Sequence, residues 1–103
     1  MTSTAILRYN GTKNDRFDRE YYCHSHMPAV AEKWKEYRLV SAQAFFPALA
    51  ADKVGTVCIC ECVFDSENSL QSAFAGECTV ELIADIKNFT DLEMQPAILS
   101  PLA

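Results

Sequence analysis

Hydrophobic and polar positions change period several times along the chain, and these changes predict the element order βαββαβ. Four short segments rich in β-compatible side chains are predicted as strands: residues 4–9, 39–46, 56–64 and 93–100. A polar run at residues 10–14 ends the first strand, and residues 47–55 form a loop before the third. Stretches with helical periodicity follow the first and third strands.

Each predicted helix has a recognisable start. The first begins at Asp18, a good N-cap, with Phe17 and Tyr22 at the two positions of a hydrophobic staple. The second begins at residues 65–67, which supply a cap and an acidic first turn. Gly76 interrupts this second helix before a further apolar segment.

Pro28 interrupts the first helix. Proline has no N–H, and its ring clashes with the carbonyl group four residues earlier in the chain. We therefore expect a kink near His26. Helical periodicity resumes after Pro28, and the helix is predicted to end near Tyr37.

The third predicted strand is largely apolar on both faces. One face carries Cys58, Cys60, Cys62 and Phe64, and the other carries Val57, Ile59, Glu61 and Val63. Two helices cover only one side of a four-stranded antiparallel sheet, so the sequence predicts a two-layer α+β sandwich with one face uncovered. A second copy of the chain, packed sheet to sheet, is the simplest cover, and we expect a homodimer through this face.

Composition limits the possible partners. The chain has 103 residues, 50% of them hydrophobic, and 9 Lys+Arg against 14 Asp+Glu give a net charge of −5. This size predicts one small domain over residues 1–103, without room for a dinucleotide-binding fold. The acidic balance argues against nucleic acid and membrane surfaces as partners and leaves small uncharged or weakly charged ligands. Our expected partner is a small hydrophobic ligand. Without a signal peptide or a long apolar segment, we expect a cytoplasmic protein.

The five cysteines indicate reduced thiols. Their number is odd, and Cys58, Cys60 and Cys62 alternate along one strand, where they would crowd one another instead of pairing across the fold. One of them could act as a nucleophile in a Cys–His pair. Packing as small hydrophobic side chains is the more common role of a free cysteine.

The candidate chemistry lies in the first helix. Tyr22 and His26 are four residues apart and therefore share a helical face beside the turn that Pro28 disturbs. A histidine with a pKa of about 6.5 can move a proton near neutral pH, and a tyrosine hydroxyl can hold an enolate oxygen. The alternative is a hydrogen-bonded structural histidine. We take His26 and Tyr22 as candidate catalytic residues.

Other residues complete the candidate site. Cys23 and His26 have the spacing of two metal ligands, but no third ligand is evident, so no metal is expected. Phosphate-binding glycine loops are missing as well, and we expect no cofactor. Aromatic side chains can line a ligand pocket or simply form the core, and Glu61 must face water, form an ion pair or have a raised pKa. The candidate substrate-binding residues are Tyr21, Trp34, Glu61 and Phe89.

The string Phe17-Asp18-x-x-Tyr21-Tyr22-x-x-x-His26-Met27-Pro28 resembles the signature of the EthD family within the dimeric α+β barrel superfamily. Residues 63–66, 86–90 and 94–96 are similar to the family pattern in the same order. The resemblance implies a ferredoxin-like monomer whose sheet packs against that of a partner to close a barrel. It places the family's characteristic histidine on His26, the paired tyrosines on Tyr21 and Tyr22, and the late Asn-Phe on Asn88 and Phe89.

Two functions are compatible with this resemblance. The first is a small cofactor-independent homodimeric enzyme that acts by proton transfer on a hydrophobic carbonyl, lactone or polyketide-like compound, as an isomerase, cyclase or decarboxylase. The second is a non-catalytic small-molecule-binding accessory protein of an oxygenase or degradation system. A ring-sized pocket beside His26, with a second titratable group in hydrogen-bond reach, would favour the enzyme.

Overall fold

Four antiparallel strands form one sheet in the order β2-β3-β1-β4. The computed structural model describes residues 1–50 and 52–99. The strands are β1 (Ser3–Gly11), β2 (Leu39–Phe45), β3 (Gly55–Phe64) and β4 (Met94–Leu99). With helices after β1 and after β3, the chain has the predicted βαββαβ order of a ferredoxin-like α+β sandwich.

The first helical segment begins where the sequence predicts. Asp18 is the N-cap of α1 (Arg19–Tyr21), and its carboxylate accepts a hydrogen bond of 3.0 Å from the Tyr21 backbone N–H. The rings of Phe17 and Tyr22 lie 5.2 Å apart, which confirms the hydrophobic staple. The chain therefore enters this helix with a fixed direction.

The predicted interruption near His26 takes the form of a π-helical segment, Tyr22–His26. The Met27 N–H donates to the carbonyl of Tyr22, five residues earlier, and the wider turn accommodates the ring of Pro28. Helix α2 (Met27–Trp34) continues from this segment. A 3₁₀ turn and a left-handed residue, Arg38, at φ 64° then end the helix as predicted.

The second helical region begins within residues 65–67, as predicted. Ser66, the middle residue of the predicted cap segment, is the N-cap of α3 (Glu67–Ala75) and accepts a hydrogen bond from the Ser69 N–H. Gly76 separates α3 from α4 (Glu77–Asp85), as predicted. A Cβ atom at Gly76 would lie 2.5 Å from the Tyr37 hydroxyl oxygen, so a larger residue here would require the Tyr37 side chain to move.

Several strand ends differ from the prediction, and at β1 the cause is pairing with a neighbouring strand. The polar residues Asn10 and Gly11 were expected to end β1, but they pair with β3 after a register shift and extend the strand. The Asn10 side chain bonds to Thr56 and to Gln95, which stabilises this extension. Strand β2 ends at residue 45 and β4 begins at residue 94, each one residue from the prediction. The predicted end of β4 at residue 100 lies outside the described residues.

The two faces of the sheet have the predicted characters. The cysteine face of β3 is fully covered by the helices, and Phe64 at its end is completely buried. On the other face, Ile59, Glu61 and Val63 are half-buried and Phe45 is exposed. No helix of residues 1–50 and 52–99 is both long enough and apolar enough to cross a membrane.

Candidate functional site

His26 lies in the π-helical segment with its imidazole enclosed by aromatic rings. Only 5% of its surface is exposed. The Tyr22 ring stacks on the imidazole at a centroid distance of 5.4 Å, and the Phe89 ring lies 4.7 Å away. A hydrogen bond of 2.8 Å from the Asp18 N–H to the Phe89 carbonyl ties this region to the helix start. Tyr22 and Phe89 also contact each other, with centroids 5.0 Å apart, so two mutually packed rings hold the imidazole.

Asp85, the last residue of α4, forms the polar partner of this histidine. Its Oδ2 atom lies 2.9 Å from His26 Nδ1. Its Oδ1 atom accepts hydrogen bonds from the Tyr21 hydroxyl at 2.6 Å and the Asn88 amide at 2.9 Å. Burial raises the pKa of Asp85, but the hydrogen bonds from Tyr21, Asn88 and His26 outweigh burial and leave its pKa below the usual value. Asp85 is therefore a carboxylate at neutral pH.

The carboxylate determines which ring nitrogen of neutral His26 carries the proton. A carboxylate only accepts hydrogen bonds, so Nδ1 must be the donor in the 2.9 Å contact. The lone pair of the neutral ring is then on Nε2. This arrangement is that of a base whose orientation and tautomer are set by an acid behind it.

A cavity of about 140 Å³ borders His26 between the helices and the sheet. Its walls come from β1, β4, α2 and α4 and are mostly apolar, including Leu7, Val30, Trp34, Leu82 and Met94. An engineered apolar cavity of about 150 Å³ accommodates benzene, so one ring is the size class that fits. An imidazole at the edge of an apolar cavity is suited to proton transfer with a small organic molecule.

Solved structures match nearly the whole chain. An EthD-like protein from Ralstonia eutropha has 24% sequence identity and a TM-score of 0.79, with 95% of this chain and 89% of that chain covered. An ethyl tert-butyl ether D (EthD) family protein from Bacillus halodurans has 19% identity and a TM-score of 0.72, with 99% and 100% covered. This chain has the EthD fold. No protein-family model matches it, and no curated protein does.

A structure of an oxygenase also matches this chain. SnoaB, a cofactor-independent oxygenase from Streptomyces nogalater, has 10% identity and a TM-score of 0.70, with 99% of this chain and 94% of that chain covered. The resemblance to EthD proteins and the ferredoxin-like class of dimeric α+β barrels are thereby confirmed. The fold is one that small-molecule enzymes or binding proteins use.

The candidate site residues predicted from the sequence lie at different distances from the cavity. His26 and Trp34 line it directly, and the Trp34 indole N–H is already bonded to Thr79 at 2.8 Å. Phe89 packs on His26, and Tyr21 reaches the site through Asp85. Tyr21 and Phe89 therefore connect to the imidazole, whereas Trp34 shares with His26 only the cavity wall.

Tyr22 and Glu61 do not line this cavity. Tyr22 is 1% exposed, and its hydroxyl neighbours the thiols of Cys58 and Cys60. Burial, with those thiols nearby, raises the pKa of Tyr22 far above its usual value, so its hydroxyl stays protonated. Glu61 lies on the opposite face of the sheet, paired across the strands with Ile6 and Gln43.

Sequence reasoning missed Asp85 and Tyr9. Asp85 is 59 positions from His26 and is one of 14 acidic residues, so its role appears only in the folded chain. One signal was available, because an acid in the last turn of a helix opposes the helix dipole and so needs another reason to be there. Tyr9 borders the cavity from β1, a strand whose pattern indicates only packing.

The buried cysteines lie outside the cavity lining. Burial raises the pKa of Cys58 to about 12, so its thiol is protonated and a poor nucleophile at neutral pH. Cys60 contacts Cys62 at a sulfur–sulfur distance of 3.5 Å in the same layer. Within the described residues, no group of three or more His, Cys, Asp and Glu side chains is arranged to hold a metal ion.

Proposed function

We propose that the chain is one EthD-like domain that acts as a small cofactor-independent homodimeric enzyme. It transfers a proton on a hydrophobic carbonyl, lactone or polyketide-like compound, as an isomerase, cyclase or decarboxylase. The observation that carries this proposal is the position of His26, backed by Asp85 and bordering an apolar cavity. Its five free cysteines fit a reducing compartment, and we propose a cytoplasmic location.

The proton moves between a substrate carbon and His26. Nε2 removes a proton from the carbon next to the carbonyl group, and the electron pair of the broken C–H bond moves onto the carbonyl oxygen. Asp85 stabilises the imidazolium that forms, because its carboxylate already accepts the Nδ1 proton. Where a second double bond is conjugated with the enolate, the proton returns to the far carbon of this dienolate and the double bond shifts, which completes an isomerisation without a net change in oxidation state.

The apolar walls serve this chemistry by excluding water. Val30, Leu82 and Met94 offer no hydrogen bonds, so a charge that develops beside His26 interacts with the imidazolium more strongly than it would in water. Tyr22 holds the plane of the imidazole by stacking, with a ring tilt of 20°. In this mechanism Tyr22 is a positioning residue, and His26 is the catalytic base.

The proposed homodimer forms through the sheet face that the helices leave open. That face carries Ile59 and Val63 from the central strand β3 and Phe45 from β2. Packing this face against the same face of a second copy would remove apolar surface from water, worth about 25 cal/mol for each Å² buried. The two sheets would then close a barrel, and each copy would keep its own cavity on its helical side.

The test is deuterium exchange at the carbon next to a carbonyl group. The protein is incubated with small cyclic ketones in D₂O, and loss of the α-proton signal is followed by NMR. We expect His26→Gln to slow the protein-dependent exchange by about 10²–10⁴-fold, the usual contribution of a positioned base. His24→Gln is the matched control, since His24 is exposed and outside the cavity. Binding without exchange would support the accessory-protein function instead.

A further inference from the structure

Tyr9 is a second polar group at the cavity, on the strand that faces His26. It is 2% exposed, borders the cavity, and lies in the same aromatic cluster as Tyr22 and Phe89. Its hydroxyl is not bonded to Asp85, in contrast to the Tyr21 hydroxyl, which donates to that carboxylate. A hydroxyl at the edge of an apolar cavity can donate a hydrogen bond to a ligand oxygen.

The protonation state of Tyr9 makes it a donor. Burial, with Cys58, Cys60 and Cys62 nearby, raises the pKa of Tyr9 well above its usual value. Its O–H therefore remains intact at neutral pH and can donate to a carbonyl oxygen. The other polar side chains of the lining are committed, since Thr79 accepts from Trp34 and donates to the Ala73 carbonyl at 2.5 Å.

Charge around the cavity selects against anions. No lysine or arginine of the described residues borders it, and the carboxylate of Asp85 lies directly behind His26. A bound carboxylate would lose its water shell without gaining a fixed positive partner. A neutral molecule meets no such cost.

We infer that the cavity is built for an uncharged, single-ring compound with one carbonyl oxygen, which Tyr9 holds while His26 Nε2 faces the adjacent carbon. This inference rests on the proposed function and narrows its substrate class. The volume of about 140 Å³ admits one ring and excludes fused polycyclic compounds. Neutral charge and a single acceptor follow from the lining.

The test measures binding of three ligands that differ in charge and size: cyclohexanone, cyclohexanecarboxylate and the fused bicycle 1-decalone. Dissociation constants are obtained by ligand-observed NMR titration. We expect cyclohexanone to bind at least tenfold more tightly than either of the others. Equal or tighter binding of the carboxylate or of the bicycle would overturn the inference.

Two tyrosine variants locate the contact. Tyr9→Phe should weaken cyclohexanone binding by about 3- to 10-fold, the effect of losing one neutral hydrogen bond. Tyr37→Phe removes a tyrosine hydroxyl outside the cavity lining and should leave the binding constant unchanged; the opposite result would overturn the role of Tyr9. Ketone binding that depends on Tyr9 without α-proton exchange would keep this inference and refute the proposed enzyme. Exchange that is restricted to anionic or bicyclic compounds would support the proposed enzyme and overturn this inference about its substrate.

Discussion

Replacing Asp85 with asparagine should invert the tautomer of His26. Two donors, the Tyr21 hydroxyl and the Asn88 amide, point at Oδ1, so the amide oxygen of an asparagine must occupy that position. The amide nitrogen then takes the place of Oδ2, 2.9 Å from His26 Nδ1. Because that nitrogen is a donor, His26 must accept at Nδ1 and carry its proton on Nε2.

The size of the effect follows from the contact that is lost. A hydrogen bond to a charged group contributes about 1.5–3 kcal/mol, which favours the Nδ1–H tautomer by about 10- to 150-fold. The Asp85 side chain is 25% exposed, so solvent screening places the value near the lower end. In the variant the lone pair faces the cavity only in the minor tautomer, so exchange activity should fall by at least about tenfold.

The assay is a long-range ¹H–¹⁵N correlation spectrum of the histidine rings, recorded in alkaline buffer to observe the two tautomers of the neutral ring. The chain has only two histidines, and exposed His24 provides an internal reference. Asp91→Asn, which removes an exposed carboxylate paired with Arg16, is the control variant. An Nε2–H signal for His26 in the unmodified protein, or no change in the Asp85 variant, would refute the reasoning.

Four further outcomes are expected. Thr79→Val leaves the buried Trp34 indole N–H without its acceptor and should lower the free energy of unfolding by about 1–3 kcal/mol in urea titration; an unchanged midpoint would contradict this. Phe64→Ala opens a void in the core and should lower the free energy of unfolding by about 3–5 kcal/mol in the same measurement. A loss below about 1 kcal/mol would contradict this, because it would mean that neighbouring side chains fill the void. Ile59→Glu should shift the protein from dimer to monomer in size-exclusion chromatography, and persistence of a dimer would place the interface elsewhere. Folding lowers the pKa of Asp85, so its contribution to stability is present above the unfolded value of about 3.9 and is lost as pH falls through the lower folded value. The difference in unfolding free energy between the protein and Asp85→Asn should therefore shrink below about pH 4. A difference that stays constant through this range would contradict the prediction.

Local patterns predicted most of the fold. The cap at Asp18, the defect before Pro28 and the alternation along β3 each depend on residues close together in the chain, and each is present as predicted. The end of β1 was wrong because Asn10 and Gly11 gain partners on β3 that their own composition does not reveal. Strand pairing overrides a weak local preference.

The candidate site was only partly predictable. His26 was identified from its place beside the helix defect, but its partner Asp85 comes from another helix, 59 residues later. Tyr9 was missed because its position in the alternating pattern of β1 is the same as that of any core residue. The cavity that it borders exists only once the helices pack on the sheet. Tyr22 was chosen for a hydroxyl that lies near the buried thiols, although its ring does contact His26.

The response of the His26 ring to a bound ketone tests the central claim most directly. Cyclohexanone is titrated into ¹⁵N-labelled protein while the histidine ring resonances are recorded. If Nε2 faces an occupied cavity, the His26 Nε2 signal should move in proportion to the bound fraction, and the signals of His24 should stay in place. A ketone that binds while the His26 ring signals remain unchanged would contradict the account.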